Sequence, residues 1–235
     1  MLELKDIIVS VGPRRLFTMS GIVLEKGVVA LVGRNGSGKS TFIKTLLGEH
    51  YDYSGSISVA GKKMELLTAA EKSTRISVVY ARPQIFGNHT VLDVLALGRL
   101  PYQNVFSMTS QADEEIIHRV AKLLKIETWF EKPFQVLSDG EKQLVMIARA
   151  LVQDTAIILM DEPAAFLDVV NRYELSVLLK KIADETGKLI ICSTHQLDRI
   201  EQDCDAVLLL ADERMELLTQ KDCFLQKIHV SFGIV

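Results

Sequence analysis

Five short apolar segments recur along the chain, at residues 28–32, 76–80, 156–160, 189–193 and 206–210. They are compact and mostly aliphatic, without the polar alternation of a strand that is wet on one side. Such segments read as strands covered on both faces. Between them, apolar positions recur with helical spacing at 39–47, 91–98, 111–124, 141–152 and 170–185. Strands alternating with helices predict a mainly parallel α/β sheet with right-handed crossovers. The opening of the chain differs. Residues 2–11 and 15–24 alternate polar with apolar positions and flank Gly12-Pro13, which predicts an antiparallel pair joined by a short turn. From about residue 82 to 138 the patterning is helical with no buried strand, and this predicts a helical lobe inserted into the α/β core. No repeat or low-complexity linker divides residues 1–235, so a single domain is expected.

Composition narrows the function classes. With 48% hydrophobic and 24% charged residues, the chain has material for a large core. A net charge of -3 argues against a broad nucleic-acid-binding face, and no nucleic-acid partner is expected. The longest uninterrupted apolar run, 206–211, falls far short of the roughly 18 residues of a membrane helix. Glu3, Lys5 and Asp6 interrupt the N-terminus, unlike a signal peptide. The expectation is a cytosolic protein that reaches a membrane only through a partner. Cys192, Cys204 and Cys223 are scattered without CxxC spacing, so they read as reduced thiols rather than a disulfide framework or zinc site.

Two segments carry chemistry. Gly33-Arg34-Asn35-Gly36-Ser37-Gly38-Lys39-Ser40 fits GxxxxGK[ST], follows the segment 28–32 and opens the helix at 39–47. Glycines let the backbone curl so that its N–H groups converge on phosphate oxygens, and the helix N-terminus adds partial positive charge. Lys39 then reaches the β- and γ-phosphates, Ser40 offers a hydroxyl to magnesium, and Thr41 completes the nucleotide-binding run. The second segment, Ile157-Ile158-Leu159-Met160-Asp161-Glu162-Pro163, is an apolar strand ending in two carboxylates. Asp161 is placed to ligate magnesium, directly or through water, and Glu162 to polarise a water aimed at the γ-phosphate. A solvated acidic turn is the plain alternative. Ser138 precedes Glu141 at capping-box spacing, predicting a helix that starts there. His195 follows the segment 189–193, at a strand end where open α/β sheets bind ligands.

Taken in order, the phosphate loop, Leu137-Ser138-Asp139-Gly140-Glu141-Lys142-Gln143, Asp161-Glu162-Pro163, Leu167-Asp168 and Ser193-Thr194-His195 resemble the nucleotide-binding subunit of an ATP-binding-cassette (ABC) transporter. The resemblance spans nearly the whole chain. It implies the P-loop NTPase core of the ABC ATPase fold, with ATP and Mg2+ as ligands. It makes Leu137, Ser138, Asp139, Gly140 and Glu141 the signature motif facing the partner subunit's ATP, residues 164–168 with Asp168 the D-loop, and His195 the γ-phosphate switch. It further implies a head-to-tail homodimer sandwiching two ATP molecules, separate transmembrane permease subunits, an extracytoplasmic substrate-binding protein, and a peripheral place at the cytoplasmic face of the inner membrane.

The sequence also departs from the family pattern. Asp139 replaces the first signature glycine, and Asp tolerates unusual backbone angles better than most residues. The aromatic ring expected under adenine falls at Pro13, with Phe17 nearby. The magnesium-shell glutamine is Gln84 by residue type and Ala81 by family spacing; Gln84 as a plain loop residue remains open. Thr90-Val91 through Gly98-Arg99-Leu100-Pro101-Tyr102 resembles importer ATPases for iron–siderophore, haem or cobalamin. Its apolar face, with Phe86, Tyr102 and Phe106, either receives a coupling helix from a membrane subunit or forms the core of the lobe. A soluble non-transport ABC ATPase and a P-loop kinase are the competing classes.

Overall fold

Residues along the central strands divide by parity between two cores. The computed structural model describes residues 1–81, 85, 87–103 and 110–234. Its N-terminal strands are β1 (Leu2–Val11), β2 (Arg14–Met19), β3 (Ile22–Leu24) and β4 (Gly27–Gly33), followed by α1 (Lys39–Leu47). Then come β5 (Tyr53–Val59), β6 (Lys62–Lys63), α2 (Ala69–Ser73), β7 (Ile76–Val79), α3 (Val91–Ala96), α4 (Gln111–Leu123) and α5 (Asp139–Val152). The remainder is β8 (Ile157–Met160), α6 (Val169–Thr186), β9 (Leu189–Ser193), α7 (Ile200–Asp203), β10 (Ala206–Ala211), β11 (Arg214–Leu218) and α8 (Phe224–Phe232). On β8, Ile158 and Met160 face a core shared with α5 and α6, while Ile157 and Leu159 face one shared with α1 and the N-terminal strands. Ile190 and Ile191 of β9 divide the same way. Burial on both faces is why these segments lack polar alternation.

The strands form one sheet in the order β6-β5-β1-β2-β11-β10-β4-β9-β8-β7, with β3 added beside β1. From β10 to β7 every neighbouring pair is parallel. The β1, β2, β3, β5 and β6 pairings are antiparallel. The expected mainly parallel core and antiparallel N-terminal portion are therefore both present. Between β7 and α5 the described elements are helical, including a 3-10 stretch at Leu97–Tyr102 after α3. Among the described residues no helix is long and apolar enough to cross a membrane.

Local chemistry explains where the helices start. Thr90, Ser110 and Ser138 each accept from a backbone N–H three residues on and receive a carboxylate in return, forming capping boxes for α3, α4 and α5. Asp168 caps α6. The segment 15–24 is broken into β2 and β3 at Ser20-Gly21 rather than continuous. β5, β6, β11 and α8 carry no signal in the apolar pattern: β5 is the Ser-rich run YSGSISV, buried only at Ile57 and Val59. The three cysteines are free and half-buried, and burial pushes the Cys204 thiol up to about 12.

Candidate active site

β4, β9 and β8 are adjacent and parallel, so their C-terminal ends open on one edge of the sheet. The chain leaves them at Gly33, Ser193 and Met160. Topology alone thus brings the phosphate loop, His195 and the Asp161-Glu162 pair together from distant parts of the sequence. This is the edge where open α/β sheets take ligands.

The loop is built to receive an anion. Gly36 and Gly38 have positive φ, 73° and 112°, which only glycine adopts cheaply. A Cβ at Gly38 would press on the Phe17 ring at 3.2 Å. Phe17 is fully buried and meets Phe42 of α1 edge-on, with ring centroids 6.0 Å apart, so the loop rests on an aromatic floor. α1 opens at Gly38 without a side-chain cap, leaving its first N–H groups for a ligand. Ser37 Oγ is buried without a hydrogen-bond partner among the described residues. Lys39 is only 6% exposed, and its ammonium donates to the carbonyls of Gly33 at 2.9 Å and Arg34 at 3.3 Å. Burial lowers its pKa, against the opposing pull of Glu162 and Asp161. A triphosphate would relieve that burial of positive charge.

The acidic strand end is held by Ser193, which the motif reading left without a role. Its hydroxyl donates to Asp161 Oδ1 at 2.7 Å and accepts from the Glu162 N–H at 2.8 Å. Glu162 sits at φ 48°, a conformation unusual for a residue other than glycine. Its Oε1 lies 3.0 Å from His195 Nε2. Both groups stay partly solvent-accessible. Ser40, Thr41, Asn35, Gly36, Gly38 and Lys39 line one cavity of about 350 Å³ together with Glu162. Ser40 and Asp161 offer hydroxyl and carboxylate oxygens, the donor set magnesium favours. Among the described residues no group of three His, Cys, Asp or Glu forms a self-sufficient metal cage, so a metal here relies on substrate phosphates as co-ligands.

Three expectations need correction. The loop cavity is bounded at its far end by Val11, Arg14 and Leu16, not by Pro13 or Phe17. Phe17 points to the opposite face of β2, into the core, because strand side chains alternate. Arg34 donates from its guanidinium to the Phe232 carbonyl at 2.5 Å and lies 5.7 Å from that ring centroid, so its side chain is taken by α8. Asp139 lies inside the first turn of α5 with ordinary helical backbone, so no glycine-like conformation is required of it. Gln84, Phe86 and Phe106 lie outside the described residues. Ala81, described and half-buried, follows β7, and the preceding Tyr80 carbonyl accepts from Gln143 Nε2 at 3.4 Å.

The signature run sits apart from this cavity. Leu137 is buried, Ser138 caps α5, and Ser138 Oγ donates to Glu141 Oε2 at 2.9 Å. That bond and the backbone N–H of Ser138 hold the Glu141 carboxyl below its usual range. The helix end is thus satisfied internally and carries the charges of Asp139 and Glu141. Gly140 lies against the D-loop, where a Cβ would meet the Phe166 carbonyl at 3.4 Å. Asp168 accepts from the Asn171 N–H at 2.8 Å. The run after Thr90 has a structural explanation. Val91, Val94 and Leu95 are fully buried in the lobe core. Arg99 Nε donates to Asp113 at 2.6 Å and Arg99 Nη1 to the Val152 carbonyl at 2.9 Å. Leu100 and Tyr102 remain exposed.

Comparison with known proteins agrees with this geometry. The family model described as ABC transporter matches residues 16–165. A thiamine import ATP-binding protein of Jannaschia sp. is 36% identical over 219 residues, covering 92% of this chain and 92% of that protein. The iron(3+)-hydroxamate import ATP-binding protein of Bacillus subtilis is 29% identical, covering 84% of this chain and 74% of the relative. A metal-chelate type ABC transporter solved in an inward-facing conformation superposes with a TM-score of 0.85 at 25% identity, covering 99% of this chain and 88% of the other. The chain belongs to the ATP-hydrolysing, ATP-binding subunits of the ABC transporter family.

Proposed function

We propose that this chain powers an importer by closing head to tail on a second copy around two ATP molecules and reopening when they are hydrolysed. The observation that carries the reading is the Glu162–His195 pair, 3.0 Å apart on the cavity wall that also holds Lys39 and Ser40. Lys39 exchanges the Gly33 and Arg34 carbonyls for β- and γ-phosphate oxygens, and the loop N–H groups bind the rest of the triphosphate. Magnesium held by Ser40 and Asp161 would neutralise charge developing on the phosphates. Glu162 accepts a proton from the attacking water as that water's oxygen bonds to the γ-phosphorus and the β–γ bridge bond breaks. His195 positions Glu162 and contacts the γ-phosphate. Ser193 positions both carboxylates through its two hydrogen bonds.

Dimer formation is supported by what one chain lacks. Residues 137–141 do not line the loop cavity, so a signature contact to ATP has to come from a second copy. Phe166, Val169, Val170 and Tyr173, at the D-loop and the start of α6, leave an apolar face open, with Val169 78% exposed. The permease is a separate membrane protein in this reading, fed by an extracytoplasmic substrate-binding protein, with this subunit at the cytoplasmic face of the inner membrane. The exposed Leu100 and Tyr102 are candidate contacts for the permease. The Gly98-Arg99-Leu100-Pro101 run, the iron-hydroxamate relative and the metal-chelate transporter favour an iron chelate, haem or cobalamin as cargo. Co-purification with a polytopic permease tests the transport role, and a stable association with a soluble complex instead would favour a non-transport ATPase.

Hydrolysis has its own test. Glu162→Gln keeps the shape of the site and removes the base. ATP affinity should stay within about threefold, while turnover falls by at least ~100-fold, the lower end of what a general base supplies. Parent-rate hydrolysis by this variant would remove Glu162 from the role.

A further inference from the structure

The end of the cavity away from Lys39 is bounded by Val11, Arg14 and Leu16. Among the described residues that line it, none is aromatic. Val11 and Arg14 are directly paired across the β1–β2 hairpin, so their side chains leave the same face side by side. Leu16 is two residues from Arg14 and shares that face. Val11 is 51% exposed, too open for a core residue and unusual for a β-branched one. The Arg14 side chain makes no hydrogen bond or ion pair among the described residues, whereas the next residue, Arg15, faces Glu213 at 3.6 Å. Arg14 also lines the groove beyond the loop, so its guanidinium stands at the mouth between the two.

We propose that the nucleobase lies on an aliphatic shelf of Val11 and Leu16 with the Arg14 guanidinium stacked on its face, and that this site does not discriminate adenine from guanine. This rests on the nucleotide-binding reading of the loop. The argument is one of donor and acceptor inventory. Valine and leucine offer nothing to hydrogen-bond, and arginine offers donors only. Sharp discrimination between bases requires a site whose own polar groups go unpaired with the wrong one. A guanidinium plane stacks on any base because every base has a π-face. The triphosphate then supplies most of the affinity, and Arg14 is a specificity-neutral anchor for the base.

The test is equilibrium binding of Mg–ATP, Mg–GTP and Mg–tripolyphosphate to the wild-type chain and to Arg14→Ala, Val11→Tyr and Lys39→Ala. Wild-type affinities for ATP and GTP should agree within about threefold. Arg14→Ala should weaken both nucleotides by roughly tenfold, the scale of one lost base stack, and leave tripolyphosphate unchanged. Val11→Tyr, which restores a ring at the shelf, should tighten both nucleotides by several-fold. A tenfold preference of the wild-type protein for ATP, an unchanged nucleotide affinity in Arg14→Ala, or an equal loss for tripolyphosphate would overturn the proposal. Lys39→Ala separates the two readings. If it leaves all three ligands bound as before, the loop itself is not the phosphate site.

Discussion

A Cβ at Gly98 would stand 2.6 Å from the Arg149 carbonyl, at the close approach between the 3-10 stretch and α5. Backbone cannot yield there as a flexible side chain could. Gly98→Ala should therefore destabilise the protein by about 1–3 kcal/mol, read as a lower denaturant midpoint at unchanged slope. The same scale shows what a motif reveals. Lys39, Asp161, Glu162 and His195 were legible because their chemistry fixes residue type and spacing together. Ser193 was legible only as part of a string. Its two hydrogen bonds depend on β9 lying beside β8, which no local pattern encodes. Val11 and Arg14 were missed because a hairpin-closing pair is marked by register, and Pro13, in the turn itself, took their place in the reading. Asp139 was read as a backbone problem, yet it is helical. Its consequence is electrostatic: with Glu141 it puts two carboxylates at the helix end offered to a partner's triphosphate.

Among the elements, the helical lobe is tied to α5 by a buried ion pair. Burial pushes the Asp113 carboxyl up, but hydrogen bonds from Arg99 and Ser110 outweigh it and hold the group below its usual range. A carboxyl lowered in the folded state contributes stability that is present above its unfolded value, about 4, and is lost as pH falls below it. Thermal melts across pH 3–6 should show an acid-side loss that Asp113→Asn reduces. Arg99→Ala leaves Asp113 buried without its partner and should cost about 3 kcal/mol at neutral pH. This pair also explains the Gly98-Arg99 run without a membrane partner: glycine permits the approach and arginine fastens it. Strands and helices with long apolar runs were legible from periodicity. β5 and β11 were not, because their stability comes from pairing with β1 and β10 rather than from their own composition. α8 was passed over as a short tail, yet Phe232 holds the Arg34 side chain of the phosphate loop.

At the scale of the whole molecule, one sheet edge gathers the phosphate loop, the acidic pair and His195, while the signature helix presents its end elsewhere. A single chain therefore carries half of each of two composite sites, and the apolar start of α6 is left for a second copy to cover. The mixed sheet and its parallel core followed from strand–helix alternation. The division of the site between two copies could be anticipated only from family resemblance, since no pattern within one chain states what the partner supplies. The most direct measurement is the mass in solution of Glu162→Gln, by light scattering during size-exclusion chromatography, with and without Mg–ATP. The account predicts a monomer without nucleotide and a dimer of about twice that mass with ATP, reverting when Lys39→Ala is added. A Glu162→Gln protein that binds ATP at saturation and stays monomeric would contradict it.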